Sequence, residues 1–163
     1  MPNWCYNRVD FYIEDEKERK EFLEFVKGTL DNEGDIEIPF SFASIIPEPD
    51  YKTTPVAKTF PEAKAERAET EEDAAVALKN EPTIRENSWW DWRIQNWGTK
   101  WDLTDEIQFD VDGSDIHMQF DTAWGPPAGI YEALVEKFPN IGVTWFYDEP
   151  GMEFAGYLNN DNN

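Results

Sequence analysis

The chain has 163 residues, 35 acidic and 14 basic, for a net charge of −21, with 40% hydrophobic and 15% aromatic side chains. That length and apolar content suit one domain with its own core. No run approaches the roughly 20 apolar residues of a membrane span, and the N-terminus lacks the basic-then-apolar order of a secretory leader, so a cytoplasmic protein without membrane contact is expected.

Residues 4–13, WCYNRVDFYI, alternate. Cys5, Val9, Phe11 and Ile13 fall on one side with Asn7 as the exception, and Trp4, Tyr6, Arg8, Asp10 and Tyr12 fall on the other, which predicts a strand. Cys5 is the single cysteine and has no basic cluster beside it in the sequence, so a packed thiol is expected rather than a nucleophile. A helix should follow. Phe22, Val26 and Leu30 form its apolar stripe, and Glu14, Asp15 and Glu16 lie at the end where its dipole favours anions. Residues 36–49 read as an extended apolar stretch broken by prolines.

Residues 48–88 read as an insertion. Prolines interrupt its start, and the Ala-, Glu- and Lys-rich run 61–81 predicts a solvated surface helix. Five of the eight tryptophans then lie between Trp89 and Trp101. Asn87 or Ser88 can begin a helix there, and Gly98 can end it in the left-handed conformation. Trp89, Arg93 and Trp97 share one stripe of that helix.

Next, EIQFDVDGSDIHMQFDTAW predicts a β-hairpin turning at Asp112-Gly113. Ile107, Phe109, Val111, Ile116, Met118 and Phe120 would point inward. Glu106, Asp110, Asp112, His117, Gln119 and Asp121 would point outward. Pro126-Pro127 opens a second helix with Ile130, Leu134 and Phe138 inside. Strands over IGVTWFYD and MEFAGYL follow, and residues 159–163 form a polar tail expected to be disordered. The order strand, helix, insertion, strand, strand, helix, strand, plus one C-terminal strand, is the split βαβ pattern. The expected fold is therefore an α+β, ferredoxin-like antiparallel sheet in a single domain over residues 1–158. Both helices should cover one face, with a long insertion between the first helix and second strand.

The motifs MPNWCYN (1–7), NWGTKWD (96–102), FDTAWGPP (120–127) and YDEPGMEFAG (147–156) resemble those of a YubB-type ferredoxin-like family found in phage, plasmid and bacterial proteins. The resemblance implies the fold and a mobile-element setting, and it brings no catalytic residues. Gly125 stands where the family pattern carries serine, which removes a hydroxyl that could cap the following helix. By the same resemblance, Trp97, Trp101 and Trp124 are expected to knit the inserted segment to the sheet.

Residues 102–163 carry 13 acids and one base, Lys137. Nucleic-acid affinity comes from Lys and Arg displacing counterions, so this half argues against direct contact with a phosphate backbone. It suits a basic protein partner instead. Glu106, Asp110, Asp112, Asp115 and Asp121 are the candidate interaction surface, set against the plainer reading of a solvated strand face. A divalent cation between Asp10, His117 and Asp121 is a minor reading, because no calcium-loop or zinc spacing occurs. With one histidine, one cysteine and no nucleophile-elbow, phosphate-loop or dinucleotide motif, no catalytic residue, metal or cofactor is assigned. Asp148 and Glu149, before Pro150-Gly151, read as a polar turn.

Two functions follow. The first is a non-enzymatic module that engages a basic host or defence protein, by imitation of DNA charge in its narrowest form. The alternative is a ligand binder or enzyme whose pocket is formed by Trp89, Trp90, Trp92, Arg93 and Asn96.

Overall fold

The structure is a computed structural model that describes residues 2–30, 36–50, 70–72 and 88–159. The surface helix expected at 61–81 and the tail at 159–163 lie outside the described residues, except for 70–72 and Asn159.

Strand β1 (Trp4–Tyr12) buries Cys5, Asn7, Val9 and Phe11 and turns the residues between them outward. Helix α1 (Glu16–Val26) starts where the Asp15 carboxylate accepts the Glu18 amide at 2.8 Å, and it buries Phe22 and Val26. The helix stops before Leu30. There Gly28 approaches Ser41 so closely that a Cβ would lie 2.5 Å from the serine Cβ, and the chain turns into a small ribbon, β2 (Gly28–Thr29) with β3 (Glu37–Ile38). The stretch expected to be simply extended thus holds this ribbon and a helical turn, α2 (Phe42–Ile45).

Helix α3 (Ser88–Asn96) carries the tryptophan-rich segment. The hairpin β4 (Gln108–Asp112) and β5 (Asp115–Ala123) turns through Gly113, whose φ of +59° suits glycine. Helix α4 (Ala128–Lys137), β6 (Gly142–Glu149) and β7 (Phe154–Leu158) complete the chain.

The main sheet is antiparallel throughout, in the order β4-β5-β1-β6-β7. Without the edge strand β7 this is the ferredoxin-like order, so the fold is α+β and ferredoxin-like. One face of the sheet supplies Val9, Phe11, Ile116, Met118, Phe120 and Trp145 to a core shared with Phe22 and Val26 of α1 and Ile130, Leu134 and Phe138 beside α4. Phe11 lies near its centre, with ring centroids 4.9 Å from Phe22 and 6.4 Å from Trp145. Aromatic pairs of this kind, tilted with Phe22 and edge-to-face with Trp145, add about 1 kcal/mol each beyond area burial.

Asn7 sits in this apolar face because all its polar atoms are used. It accepts from Trp145 Nε1 at 3.0 Å and donates to Thr122 Oγ1 at 2.9 Å and the Cys5 carbonyl at 3.1 Å. Cys5 is buried, and burial pushes its thiol pKa up to about 11, in keeping with a packing role. Glu149, also buried, accepts the amides of Gly151 and Met152 at 2.9 and 2.7 Å, so it holds the turn into β7.

Candidate functional site

The outward face of the sheet is assembled by register. Cross-strand partners project to the same side, so each row across the sheet is a set of neighbours. At the hairpin end, Asp112 pairs with Asp115, which pairs with Tyr12. In the next row Asp110, His117 and Asp10 lie side by side. The following row is Gln108, Gln119, Arg8, Phe146 and Tyr157. Beyond it come Asp121, Tyr6 and Asp148.

His117 Nδ1 is hydrogen-bonded to the Asp10 carboxylate. That bond, reinforced by Asp10, Asp115 and Asp110, raises the imidazole pKa above its ordinary value. Asp112 and Asp115 face each other as like charges, an arrangement that costs a few tenths of a kcal/mol when solvated. Both are exposed, and charges on an edge strand such as β4 also discourage edge-to-edge pairing between molecules.

The five expected interaction residues therefore fall into two groups. Asp110, Asp112 and Asp115 cluster at the hairpin end with Asp10 and His117. Glu106 and Asp121 lie at the opposite end, about 20 Å away along β5 by strand rise. Asp121 is separated from the Asp10–His117 pair by the Gln119–Arg8 row, so the three do not converge as cation ligands. Among the described residues no group of His, Cys, Asp or Glu is placed to hold a metal ion. Phe109 packs partly against the core as expected, but Val111, one pair before the Asp112–Asp115 turn, is 44% exposed rather than buried.

At that opposite end lies a cleft of about 300 Å³ lined by Trp4, Trp101, Leu103, Glu106, Asp121 and Ala123, among others. The Trp4 and Trp101 rings lie 6.0 Å apart and are inclined by 35°, and partial burial raises the Asp121 carboxyl pKa. Below, Asp102 is largely buried and accepts from Ser41 Oγ at 2.8 Å and from the amides of Phe42 and Leu103, both at 2.7 Å. Burial raises its pKa against those bonds. This carboxylate anchors the loop that carries Trp101 to the start of α2.

The tryptophans of α3 do a different job. Trp97, just past the end of α3, is fully buried and donates its indole N–H to the Ile46 carbonyl at 2.9 Å, so it ties this end of α3 to the residue after α2, ahead of the expected insertion. Arg93 lies over the Trp89 and Trp97 rings at 5.2 and 4.7 Å, binds the Glu48 carboxylate and donates to the Lys100 carbonyl at 3.2 Å. Trp92 packs on the core edge-on to Trp97, with centroids 5.7 Å apart, and accepts the Asn96 amide at its carbonyl. Trp89 is half-buried and Trp90 exposed. The polar groups proposed for a ligand pocket, Arg93 and Asn96, are thus engaged within the chain.

Trp101 and Trp124 are exposed, at 40% and 46%, and Trp101 packs on Trp4 of β1, with ring centroids 6.0 Å apart. The pairing of Trp4 with Trp101 joins residues far apart in sequence, and no local signal announces it.

Residues 96–163 match the family model of the ferredoxin-like domain in Api92-like protein. Three of the four motifs noted above, NWGTKWD, FDTAWGPP and YDEPGMEFAG, lie within that segment, and MPNWCYN lies outside it. The crystal structure of a protein api92 from Yersinia pseudotuberculosis is similar over 96% of this chain and 93% of its own, with a TM-score of 0.52 at 11% identity. At that identity the likeness is one of fold. No curated protein sequence matches the chain.

Proposed function

We propose that the outward sheet face is a docking surface for a basic protein and that the chain acts by binding rather than by catalysis. One observation carries this reading: Asp10, Asp110, Asp112 and Asp115 share adjoining rows of a single face. A cationic partner relieves the repulsion those carboxylates hold in the free protein and adds steered encounter. Tyr6 and Tyr12, both about half exposed on the same face, belong to the aromatic class enriched at protein interfaces.

Gln108, Gln119 and Arg8 separate the two acidic groups. An unbroken phosphate-like track is therefore not what supports the proposal, and complementarity to a basic protein surface is. The motif resemblance to YubB-type proteins makes a host or defence protein met by a mobile element, in the cytoplasm, the natural class of target.

A protein of net charge −21 attracts any polycation, so the test compares positions rather than totals. Asp110→Asn/Asp112→Asn/Asp115→Asn should weaken binding of a short oligolysine about ten-fold, from three partly screened charge contacts. Glu18→Gln/Glu21→Gln/Glu24→Gln on α1 removes as many charges from another surface and should change it little. Equal losses from the two triple variants would reduce the acidity to a diffuse surface property and defeat the proposal.

A further inference from the structure

Two tryptophans at the end of the acidic face are neither core nor cap. Trp4 is 41% exposed and Trp101 40% exposed, and they pack beside each other in the lining of a cleft that also includes Asp121 and Glu106. We propose that this cleft receives an arginine side chain of the basic partner, stacked on the indoles with its guanidinium turned toward Asp121 and Glu106. The proposal rests on the docking reading above and adds the anchoring point to it.

Size selects the occupant first. At about 300 Å³ the cleft lies at the bottom of the range for small-molecule sites and has room for one long side chain. Chemistry selects it second. Lys100 Nζ already lies 4.0 Å from the centre of the Trp101 ring, so this indole holds a cation in the free protein. No described lysine or arginine pairs with Asp121 or Glu106, and the raised pKa of Asp121 reflects a carboxyl partly withdrawn from water without a counter-ion. A guanidinium is planar, weakly hydrated and able to stack and donate two parallel hydrogen bonds at once, which an ammonium cannot do.

Continuity with the acidic face favours a side chain of a docked protein over a free cation. Asp121 pairs with Tyr6 in the same sheet face that carries Asp10 and Asp115. The rim is also conformationally specified. Trp124 follows the lining residue Ala123, has a φ of +71°, and donates its amide to the Asn3 carbonyl at 2.8 Å. A bulky residue in the left-handed region persists only where its surroundings hold it.

The test compares a short oligoarginine with an oligolysine of the same length, titrated into the intact chain, Trp101→Leu and Asp121→Asn. Both positions are exposed, so thermal unfolding midpoints should stay near the parent value and confirm folding. The parent chain should bind oligoarginine about three-fold more tightly than oligolysine, and each variant should abolish that preference. Equal binding of the two peptides to the parent, or a preference that survives both variants, overturns the arginine cleft while leaving the docking face intact. Failure of both peptides to bind removes the docking face and the cleft together.

Discussion

Asp102 joins stretches of chain 61 residues apart through one carboxylate, which accepts from Ser41, Phe42, Ala43 and Leu103. Removing it leaves buried donors unpaired, so Asp102→Ala should cost about 3 kcal/mol in urea unfolding, and Asp102→Asn, which keeps one acceptor oxygen, should cost less. Nothing local distinguishes this residue from the other acids of its half. A buried carboxylate is recognised by the donors it meets, and those come from a distant segment. Cys5 was legible because its alternation and flanks define a buried strand position. With its pKa pushed up to about 11 by burial, the thiol should resist alkylation near pH 7 in the native protein and react once unfolded. His117 carries a raised pKa through its bond to Asp10. A group raised on folding lends stability that is complete below its ordinary value near 6.5 and is lost as pH rises through the folded value. A proton NMR titration should give a His117 midpoint above that ordinary value, and Asp10→Asn should lower it.

The elements whose periodicity runs over several residues, β1, α1, β5 and α4, follow from pattern alone. The alternation of Ile116, Met118 and Phe120 with His117, Gln119 and Asp121 appears in the burial of β5 without exception. Elements β2, β3 and α2 have two or four residues each, too few to show a period, and they depend on the close approach of Gly28 to Ser41. The left-handed end of α3 at Gly98, with φ +91°, was readable. The packing it allows was not: a Cβ on Gly129 would lie 1.9 Å from the Asn96 carbonyl oxygen, and the Gly129 amide donates to Trp97 at 3.2 Å. Gly129→Ala must therefore force the end of α3 away from α4. A loss of about 2 kcal/mol should appear in thermal unfolding, with a changed environment for the buried Trp97 indole. An unaltered midpoint would show that this junction yields freely.

Across the molecule, the strand order and the division of the sheet into an apolar and a polar face were both available from the sequence, because period-two patterning decides which side each residue takes. The grouping of the outward residues was not available. It depends on register, which sets Asp110 beside His117 and Asp10 and places Asp121 with Trp4 and Trp101 at the other end. The tryptophan segment divides for the same reason. Its members Trp92 and Trp97 pack inward, while Trp101 leaves the helix and meets Trp4. The central claim, that one face of the sheet receives a basic partner, is tested most directly by mapping backbone amide shifts as a short oligolysine is added at moderate salt. The shifts should concentrate on β4, β5 and β1 around Asp10, Asp110, Asp112, Asp115 and His117, and leave α1 and α4 quiet. Shifts spread evenly over acids of the helices and the sheet alike would contradict it.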